Sequence, residues 1–438
     1  MSAEKRLSVW INDRLIGTLR ENNDLWAFDY DSAWSTVDDG FDLSPALPRS
    51  TLSHIDGASD RPVQWYFDNL LPEEALRTVL ATEANIKEED SFGLLAYFGA
   101  ESAGSLILRP PSDDTLGTVG LRILPAEVLS QRIKDLPRLS LNHDSPKHMS
   151  LAGAQHKLPM VFRNEQLYEP LPGEPSTHIL KPNSPDPNYP STVINEYFVM
   201  RLAKAVGLSV PTVYRYYTPQ PVYIIDRFDR TNTDGTVLRR HMIDTCQLLN
   251  KARNFKYTGA TIETLNKVIT KCRTRSMARL RLFEWIVFNV LVGNGDNHLK
   301  NISFMVSEEG IDIAPTYDLL STAVYSTLAI AVDPARAIWP KVDLALALPG
   351  ATKFCDVSRQ VILDTGKAFG LDKNTIVRRV DQLTTRIVSA GDDIYHAIEK
   401  ENEALSDAAR VAFAGELRLL RAILKIIVKD MVDRIQEH

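Results

Sequence analysis

The early part of the chain is dominated by short segments in which apolar and polar residues alternate. Before residue 110 these segments are separated by Asn, Asp, Gly and Pro, which is typical of β-hairpins. Residues 64–86 have instead the apolar spacing of a helix. This front part therefore predicts a mixed arrangement of strands and helices.

A second strand-rich block follows, and most of the remaining chain has helical periodicity. Alternating or apolar runs at 158–170, 176–182 and 222–228 predict strands. One helix is predicted at 193–206, ending before Gly207, and helices dominate from about Asp244 onward. Polar or Pro-rich breaks lie at 109–114 and 141–148. We therefore predict an α+β protein with three parts: 1–140, 141–235 and 236–438.

Composition places the chain among large cytosolic proteins. Its 438 residues exceed what one hydrophobic core normally holds, and 44% hydrophobic with 24% charged residues is ordinary for a globular protein. No apolar run approaches the ~20 residues of a membrane span, and the N-terminus does not resemble a signal peptide. Three separated cysteines exclude a zinc ribbon or a disulfide framework. We expect a cytoplasmic protein without a membrane partner.

Charge argues against direct nucleic-acid binding by the whole molecule. The net charge of −6 would repel a polyanion. Residues 267–281 are a local exception, with six basic residues and no acidic one. This stretch is either a solvated helix face or a docking face for an acidic partner or a nucleic acid, and the sequence leaves both open.

The strongest candidate chemistry follows the apolar run at 283–292. Phosphoryl transfer in protein kinases uses an Asp as base, an Asn five residues later, and a second Asp after a hairpin to hold metal ions. Asp296, Asn301 and Asp318 have this spacing, with a predicted hairpin between the last two. A simple turn at 295–297 and a metal hydrolase using Asp296 and His298 are alternatives. The second lacks a further cluster of metal ligands.

Two earlier features fit phosphate binding. Lys181 ends a predicted strand, and Glu196 in the next helix is a possible ion-pair partner that would hold the lysine. A surface lysine and a solvated glutamate remain the alternative. The segment 150–157 (SLAGAQHK) is small, flexible and ends in a cation, so its backbone N–H groups are suited to phosphate oxygens.

Several motifs, taken together in their order, resemble the HipA family of bacterial serine/threonine kinases, the toxin half of HipA–HipB toxin–antitoxin pairs. The motifs are SLAGAQHK (150–157), THILKP (177–182), NEYFVMRLAKAVGL (195–208), DRFDR (226–230), GNGDNHLKN (293–301) and YDLLS (317–321). Residues 66–74 and 91–106 also resemble the N-terminal subdomain of that family. The resemblance thus covers nearly the whole chain.

The resemblance implies a protein-kinase-like two-lobed fold that uses ATP and Mg²⁺. An α+β N-terminal subdomain would precede a small mixed α/β N-lobe and a larger helical C-lobe. Asp296 would be the catalytic base, Asn301 and Asp318 the metal ligands, and Ser150 the autophosphorylated serine whose modification switches the kinase off. The implied nucleotide-binding residues are Ala152, Gly153, Ala154, Gln155, His156, Lys157, Lys181, Asp226, Arg227, Phe228, His298 and Lys300.

The implied function is a growth-arresting serine/threonine kinase. Its substrate would be a protein, such as an aminoacyl-tRNA synthetase, and a HipB-like helix-turn-helix antitoxin would neutralise it and make the DNA contact. Two alternatives stay open. One is a weak or inactive kinase fold serving as a scaffold or corepressor for a DNA-binding partner. The other is a small-molecule kinase, which would share the phosphate and metal residues.

Overall fold

A computed structural model describes residues 4–111, 117–149, 151–405 and 407–436 of the chain. The chain forms two compact units, each assembled from separate segments. The first unit comprises Met1–Lys181, Ile225–Phe255 and Ser303–Ala314, and the second comprises Pro182–Ile224, Lys256–Ile302 and Pro315–His438. The division at residues 140 and 235 that the sequence suggests stays a prediction.

The first unit begins with a five-stranded antiparallel sheet in the order β4-β3-β2-β1-β5. Its strands are β1 (Lys5–Ile11), β2 (Arg14–Asn22), β3 (Leu25–Tyr30), β4 (Ser53–Ile55) and β5 (Leu106–Arg109). The helices of this part are α1 (Ser32–Thr36), α2 (Pro62–Asp68), α3 (Glu74–Glu83) and α4 (Ser91–Phe98). Apolar residues such as Leu7, Val9 and Phe28 are buried, which confirms the alternation seen in the sequence.

The prediction of a single helix at 64–86 is wrong in one respect, because the segment forms two helices, α2 and α3. The break contains Pro72, which has no N–H and whose ring would collide with a carbonyl one turn earlier in a continuous helix. The new helix starts two residues after this proline. The break leaves Pro72 and Glu73 outside both helices, so their backbone groups can form hydrogen bonds with another segment of the chain.

The first unit contributes four strands to a second sheet, and they pair antiparallel in the order β9-β7-β8-β6. They are β6 (Leu121–Ile123), β7 (Leu158–Arg163), β8 (Gln166–Pro170) and β9 (His178–Pro182), and α5 (Ala126–Lys134) follows β6. The strands predicted at 158–170 and 176–182 are confirmed. The alternation of the 158–170 run is divided between β7 and β8 by a turn at Asn164 and Glu165, both at positive φ.

The rest of the first unit is built from short hairpins. The strands β12 (Arg230–Thr233) and β13 (Thr236–Arg239) pair with each other, and a three-stranded sheet has the order β14-β15-β16. Its strands are β14 (Met242–Asp244), β15 (Ser303–Ser307) and β16 (Gly310–Ile313), and helix α7 (Thr245–Leu248) follows β14. The hairpin predicted between Asn301 and Asp318 is therefore confirmed.

The second unit is mostly helical. Its helices are α6 (Thr192–Ala205), α9 (Ile262–Lys271), α10 (Arg275–Leu291), α11 (Arg359–Ala368), α12 (Lys373–Glu403), α13 (Asp407–Ala422) and α14 (Lys429–Gln436), with a π-helical turn at Ile423–Val428. Its strands are β10 (Val213–Tyr217), β17 (Asp343–Leu348) and β18 (Ala351–Lys353). Strand β11 (Pro221–Asp226) and helix α8 (Phe255–Thr258) contain residues of both units.

Helices α6 and α10 form much of the core of the second unit. Eleven residues of α6 are buried, and α6 packs on α12 and α13. The predicted end of this helix is confirmed, since α6 stops at Ala205 and Gly207 has a φ of 99°. In the described part of the chain, no helix combines the length and the apolar character that a membrane span requires.

Candidate active site

The loop that follows α10 is anchored by buried amide side chains. Asn289 lies in α10, and its Oδ1 accepts a hydrogen bond of 2.8 Å from Nδ2 of Asn294. The Oδ1 of Asn294 in turn accepts the backbone N–H of Asp296 at 3.0 Å. Gly293 makes the turn at a φ of 64°, and an added Cβ there would lie 2.6 Å from Ile427. The apolar helix thus ends in a tightly held polar loop.

The five-residue spacing between Asp296 and Asn301 is a hydrogen-bonded turn. The carbonyl of Asp296 accepts the backbone N–H of His298 at 2.9 Å and the Nδ2 of Asn301 at 3.1 Å. The backbone N–H of Asn301 donates to the carbonyl of His298. These short-range bonds hold the carboxamide of Asn301 beside the loop that carries Asp296. His298 and Lys300 belong to the same turn.

Asp318 lies on the second loop of this site. Its φ of 59° is in the left-handed region, which Asp tolerates better than most residues. The following residues are held by Asn195, whose side chain bonds both the backbone N–H and the carbonyl of Ser321. The hydroxyl of Tyr317 donates to the carbonyl of Lys300 at 2.9 Å, which joins this loop to the loop of Asp296. The structure therefore brings Asp296, Asn301 and Asp318 together within the second unit.

Electrostatics support the proximity of these groups. Burial raises the pKa of the Asp296 carboxyl, the charge of Asp318 raises it further, and His298 acts in the opposite direction. Asp318 also acts, together with Glu196, on the buried Tyr223, whose pKa is raised well above its ordinary value mainly by burial. Glu196 and Asp318 therefore both lie near the side chain of Tyr223.

Two residues of the site were not identified from the sequence. The hydroxyl of Tyr257 donates to Oδ1 of Asp296 at 3.2 Å, and its ring meets the ring of His298 edge to face at 5.1 Å between centroids. Lys256, beside it in α8, is buried, and its charge lowers the pKa of Asp296. Both lie about forty residues before Asp296, and no local pattern marks them.

The donor set suits magnesium bound together with nucleotide phosphates. No cluster of three or more His, Cys, Asp or Glu that could hold a metal occurs within residues 4–111, 117–149, 151–405 and 407–436. Mg²⁺ sites in phosphoryl-transfer enzymes typically use only one or two protein oxygen ligands besides the phosphates. Because Nδ2 of Asn301 is engaged with Asp296, its Oδ1 is the atom suited to a cation. Asn301 and Asp318 therefore fit the role.

The predicted phosphate-binding loop lies in the first unit. Lys157 Nζ donates to the carbonyl of Ala152 at 2.6 Å, and Gly153 has a φ of 110°. The carbonyl of Gly153 accepts the backbone N–H of Glu73 at 3.2 Å, on the irregular stretch between α2 and α3. The other members of the loop are Ala154, Gln155 and His156, of which His156 is buried. Ser150 lies outside the described residues.

Lys181 and the predicted adenine-binding segment also belong to the first unit. Lys181 is buried in β9. Asp226 ends β11 and lies 3.0 Å from Nε2 of His178, and Phe228 follows in a turn. The predicted base and metal ligands belong to the second unit together with His298 and Lys300, so the structure gathers the predicted site residues into two sets, one in each unit. The roles of both sets stay predictions.

Arg227 is occupied by a buried ionic cluster of the first unit. Its guanidinium donates to both carboxylate oxygens of Asp229, to Glu101 and to Ser176, and its backbone N–H donates to the carbonyl of Thr177. The donors of Arg227 are thus engaged within the protein, and its carbonyl accepts the backbone N–H of Arg230 at 3.3 Å. Glu101 also accepts hydrogen bonds from Lys147, Arg230 and Arg239.

Comparison with known proteins identifies relatives along the whole chain. A model of the HipA N-terminal domain matches residues 7–109, and a model of the HipA-like C-terminal domain matches residues 149–391. A Sinorhizobium fredii protein named "Putative kinase Y4mE" is 32% identical over 434 residues, which are 95% of this chain and 98% of the relative. The serine/threonine-protein kinase toxin HipA of Shewanella oneidensis is 31% identical over 360 residues, which are 76% of this chain and 80% of that protein.

A solved structure has the same fold. It is the complex of HipA, HipB and operator DNA from Shewanella oneidensis, which this chain matches with a TM-score of 0.73 and 26% identity. The match covers 98% of this chain and 99% of the matched chain. The expected fold class is therefore confirmed.

Proposed function

The chain belongs to the HipA family, and from this premise we propose that it is an ATP- and Mg²⁺-dependent protein serine/threonine kinase. The observation that carries the proposal is the arrangement of Asp296, Asn301 and Asp318, which are close together in the second unit and fit a base and two metal ligands. A turn with only a structural role would not need a second carboxylate, that of Asp318 at a positive φ, beside the carboxylate of Asp296.

In the proposed reaction, Asp296 accepts the proton of a substrate hydroxyl while the hydroxyl oxygen bonds to the γ-phosphorus of ATP. The bond from that phosphorus to the bridging oxygen breaks, and ADP leaves. Asn301 and Asp318 would hold Mg²⁺, which neutralises negative charge on the phosphates when it is bound. The tight hydrogen bonding of the loop keeps Asp296 in place, which limits the reorganisation that the reaction requires.

The remaining predicted residues are proposed to bind the nucleotide. Lys181 and the loop 152–157 would contact the phosphates, with His298 and Lys300 on the phosphate side, and the backbone of 226–228 would bind adenine. The small residues and positive φ of the loop support this role, since exposed backbone N–H groups bind phosphate oxygens. Phosphorylation of Ser150 would place a dianion near the ATP phosphates, so the loop would leave and the kinase would stop.

We further propose that the protein is the toxin of a toxin–antitoxin module. The relative from Shewanella oneidensis is named a kinase toxin, and the matched structure contains HipB and operator DNA. A HipB-like helix-turn-helix antitoxin would bind this chain and contact the DNA, which agrees with the net charge of −6. The proposed substrate is a protein of translation, such as an aminoacyl-tRNA synthetase.

A comparison of phosphopeptides tests this proposal directly. Cells that produce the wild type, the Asp296→Ala variant or an Asp433→Ala control are compared by quantitative phosphoproteomics. Asp433 is half exposed on α14 and pairs with Lys429 one turn away, so its variant controls for expression and for loss of one carboxylate. Phosphoserine sites present with the wild type and the control and absent with Asp296→Ala would identify the acceptor. An identical set of sites in all three would refute the kinase proposal.

A further inference from the structure

Tyr257 donates a hydrogen bond to the carboxylate that the proposed reaction uses as its base. The hydroxyl lies 3.2 Å from Oδ1 of Asp296. A serine hydroxyl that is to be phosphorylated must donate to the same carboxylate, because that bond carries the proton which the base removes. The phenol of Tyr257 and the acceptor hydroxyl therefore make the same kind of hydrogen bond to the same group.

The surroundings of Tyr257 allow its side chain to leave this position. Its relative exposure is 49%, and it lies on α8, a helix of only four residues. The ring contacts the edge of His298, and Nζ of Lys256 lies 4.9 Å from its centroid. Because about half of the Tyr257 side chain is already exposed, rotation of the ring into solvent would break these contacts, including the one with the buried Lys256, without emptying a core position. Tyr66, by contrast, is almost fully buried and could not move in this way.

We propose that Tyr257 is an internal competitor for the acceptor position, whose hydroxyl must release Asp296 before a substrate hydroxyl can be phosphorylated. The inference rests on the proposed kinase function and adds to it a residue that sets how readily an acceptor reaches the base. A substrate that binds tightly displaces the phenol from Asp296, whereas water binds too weakly to displace it. Tyr257 thus favours a docked protein acceptor over hydrolysis of ATP.

A positioning role for Tyr257 would give different kinetic results. If Tyr257 instead positioned the carboxylate, its removal would lower the turnover of every acceptor. As a competitor, its removal lowers the KM for the acceptor and increases hydrolysis by water, and it leaves the turnover at saturating acceptor nearly unchanged. The split between KM and kcat therefore separates the two roles.

The experiment compares five proteins: the wild type, Tyr257→Phe, Tyr257→Leu, Asp296→Ala and Tyr395→Phe. Phe keeps the ring contacts and removes only the hydroxyl, and Leu tests the same loss without an aromatic ring. Tyr395→Phe is the matched control, because its hydroxyl bonds Arg421 on another helix of the second unit. Hydrolysis of Mg-ATP is measured without an acceptor, and transfer is measured to a synthetic peptide with the sequence of residues 144–156. Thermal unfolding verifies that each variant is folded.

For both Tyr257 variants we expect hydrolysis to rise about tenfold and the KM for the peptide to fall by a similar factor, the scale of one hydrogen bond to a charged group. The kcat for the peptide should stay within about twofold of the wild type by the same reasoning, since the reacting groups are unchanged. Unchanged hydrolysis, or a lower kcat with the same KM, would overturn the inference. If the wild type neither hydrolyses ATP nor labels any acceptor above the level of Asp296→Ala, the kinase proposal itself fails.

Discussion

Glu101 and Lys147 form an ion pair in which neither side chain is exposed to solvent. Glu101 also accepts hydrogen bonds from Arg227, Arg230 and Arg239, so one carboxylate faces four cations. Lys147 lies three residues before Ser150, and Arg227 lies in the segment predicted to bind adenine. The segment before the predicted phosphate-binding loop and the segment after β11 are therefore both bonded to the buried carboxylate of Glu101.

Glu101→Gln should strongly destabilise the first unit. Burial raises the pKa of Glu101, but the surrounding cations lower it well below its ordinary value, so the group is charged in the folded protein. Neutralisation of Glu101 would leave the four buried cations with less compensating negative charge, that of Asp229. This should lower the free energy of unfolding by about 3–5 kcal/mol. Urea unfolding monitored by fluorescence measures the change. Asp39→Asn removes an exposed partner of Arg14 and should change the unfolding midpoint little; equal effects of the two substitutions would contradict the argument.

Glu169 predicts a pH dependence of stability. Burial raises its pKa, but hydrogen bonds and charge from Arg132 and Arg122 outweigh burial and lower the pKa below 4.5. Because the folded pKa is below the unfolded value, the stabilisation is complete above about pH 4.5 and is lost as the pH falls through the folded pKa. The difference in stability between the wild type and Glu169→Gln should therefore shrink below pH 4.5. A difference that is constant from pH 7 to pH 3 would contradict this.

Asp296→Ala should abolish phosphoryl transfer without unfolding the protein. The substitution removes the proposed base from a loop that is held by Asn294 and Asn301, and loss of a general base lowers rates by about 10²–10⁴-fold. Single-turnover labelling with γ-labelled ATP measures the rate. Unchanged thermal unfolding would show that the fold is intact. Self-labelling at the wild-type rate would exclude Asp296 as the base.

Asp318→Asn should weaken the use of magnesium. Asn tolerates the left-handed backbone at this position, so the loop should keep its shape while it loses a charged ligand. We expect the Mg²⁺ concentration for half-maximal transfer to rise at least about tenfold, the lower end of the loss caused even by removal of an outer-shell partner. A titration of transfer rate against Mg²⁺ measures this. Asp312→Asn, in strand β16, is the control and should leave the titration midpoint unchanged.

Ser150→Ala should remove self-labelling and preserve transfer to another acceptor. The reason is chemical, since Ala lacks the hydroxyl that would receive the phosphate. Phosphopeptide mapping after incubation with ATP locates the label in the wild type, and the variant should also remain active for longer because the proposed off-switch is absent. Persistent label on the variant would place the regulatory site at another residue.

Short-range features were determined by the sequence alone. The hairpin of β15 and β16, the end of α6 before Gly207 and the turn that links Asp296 to Asn301 all depend on neighbours within a few residues. Such features follow from backbone conformation, apolar periodicity and local hydrogen bonds, which are encoded locally. Pro72 carried a similar local signal, and the division between α2 and α3 is its consequence.

Long-range partnerships were decided only by the tertiary structure. Glu101 meets Arg239 across 138 positions of sequence, and Tyr257 meets Asp296 across 39. No periodicity relates such residues, because each side chain finds its partner only after separate elements have packed. The same holds for the guanidinium of Arg227, whose hydrogen bond to Glu101 spans 126 positions of sequence. Local patterns thus identified the candidate catalytic residues, and packing determined which charges surround them.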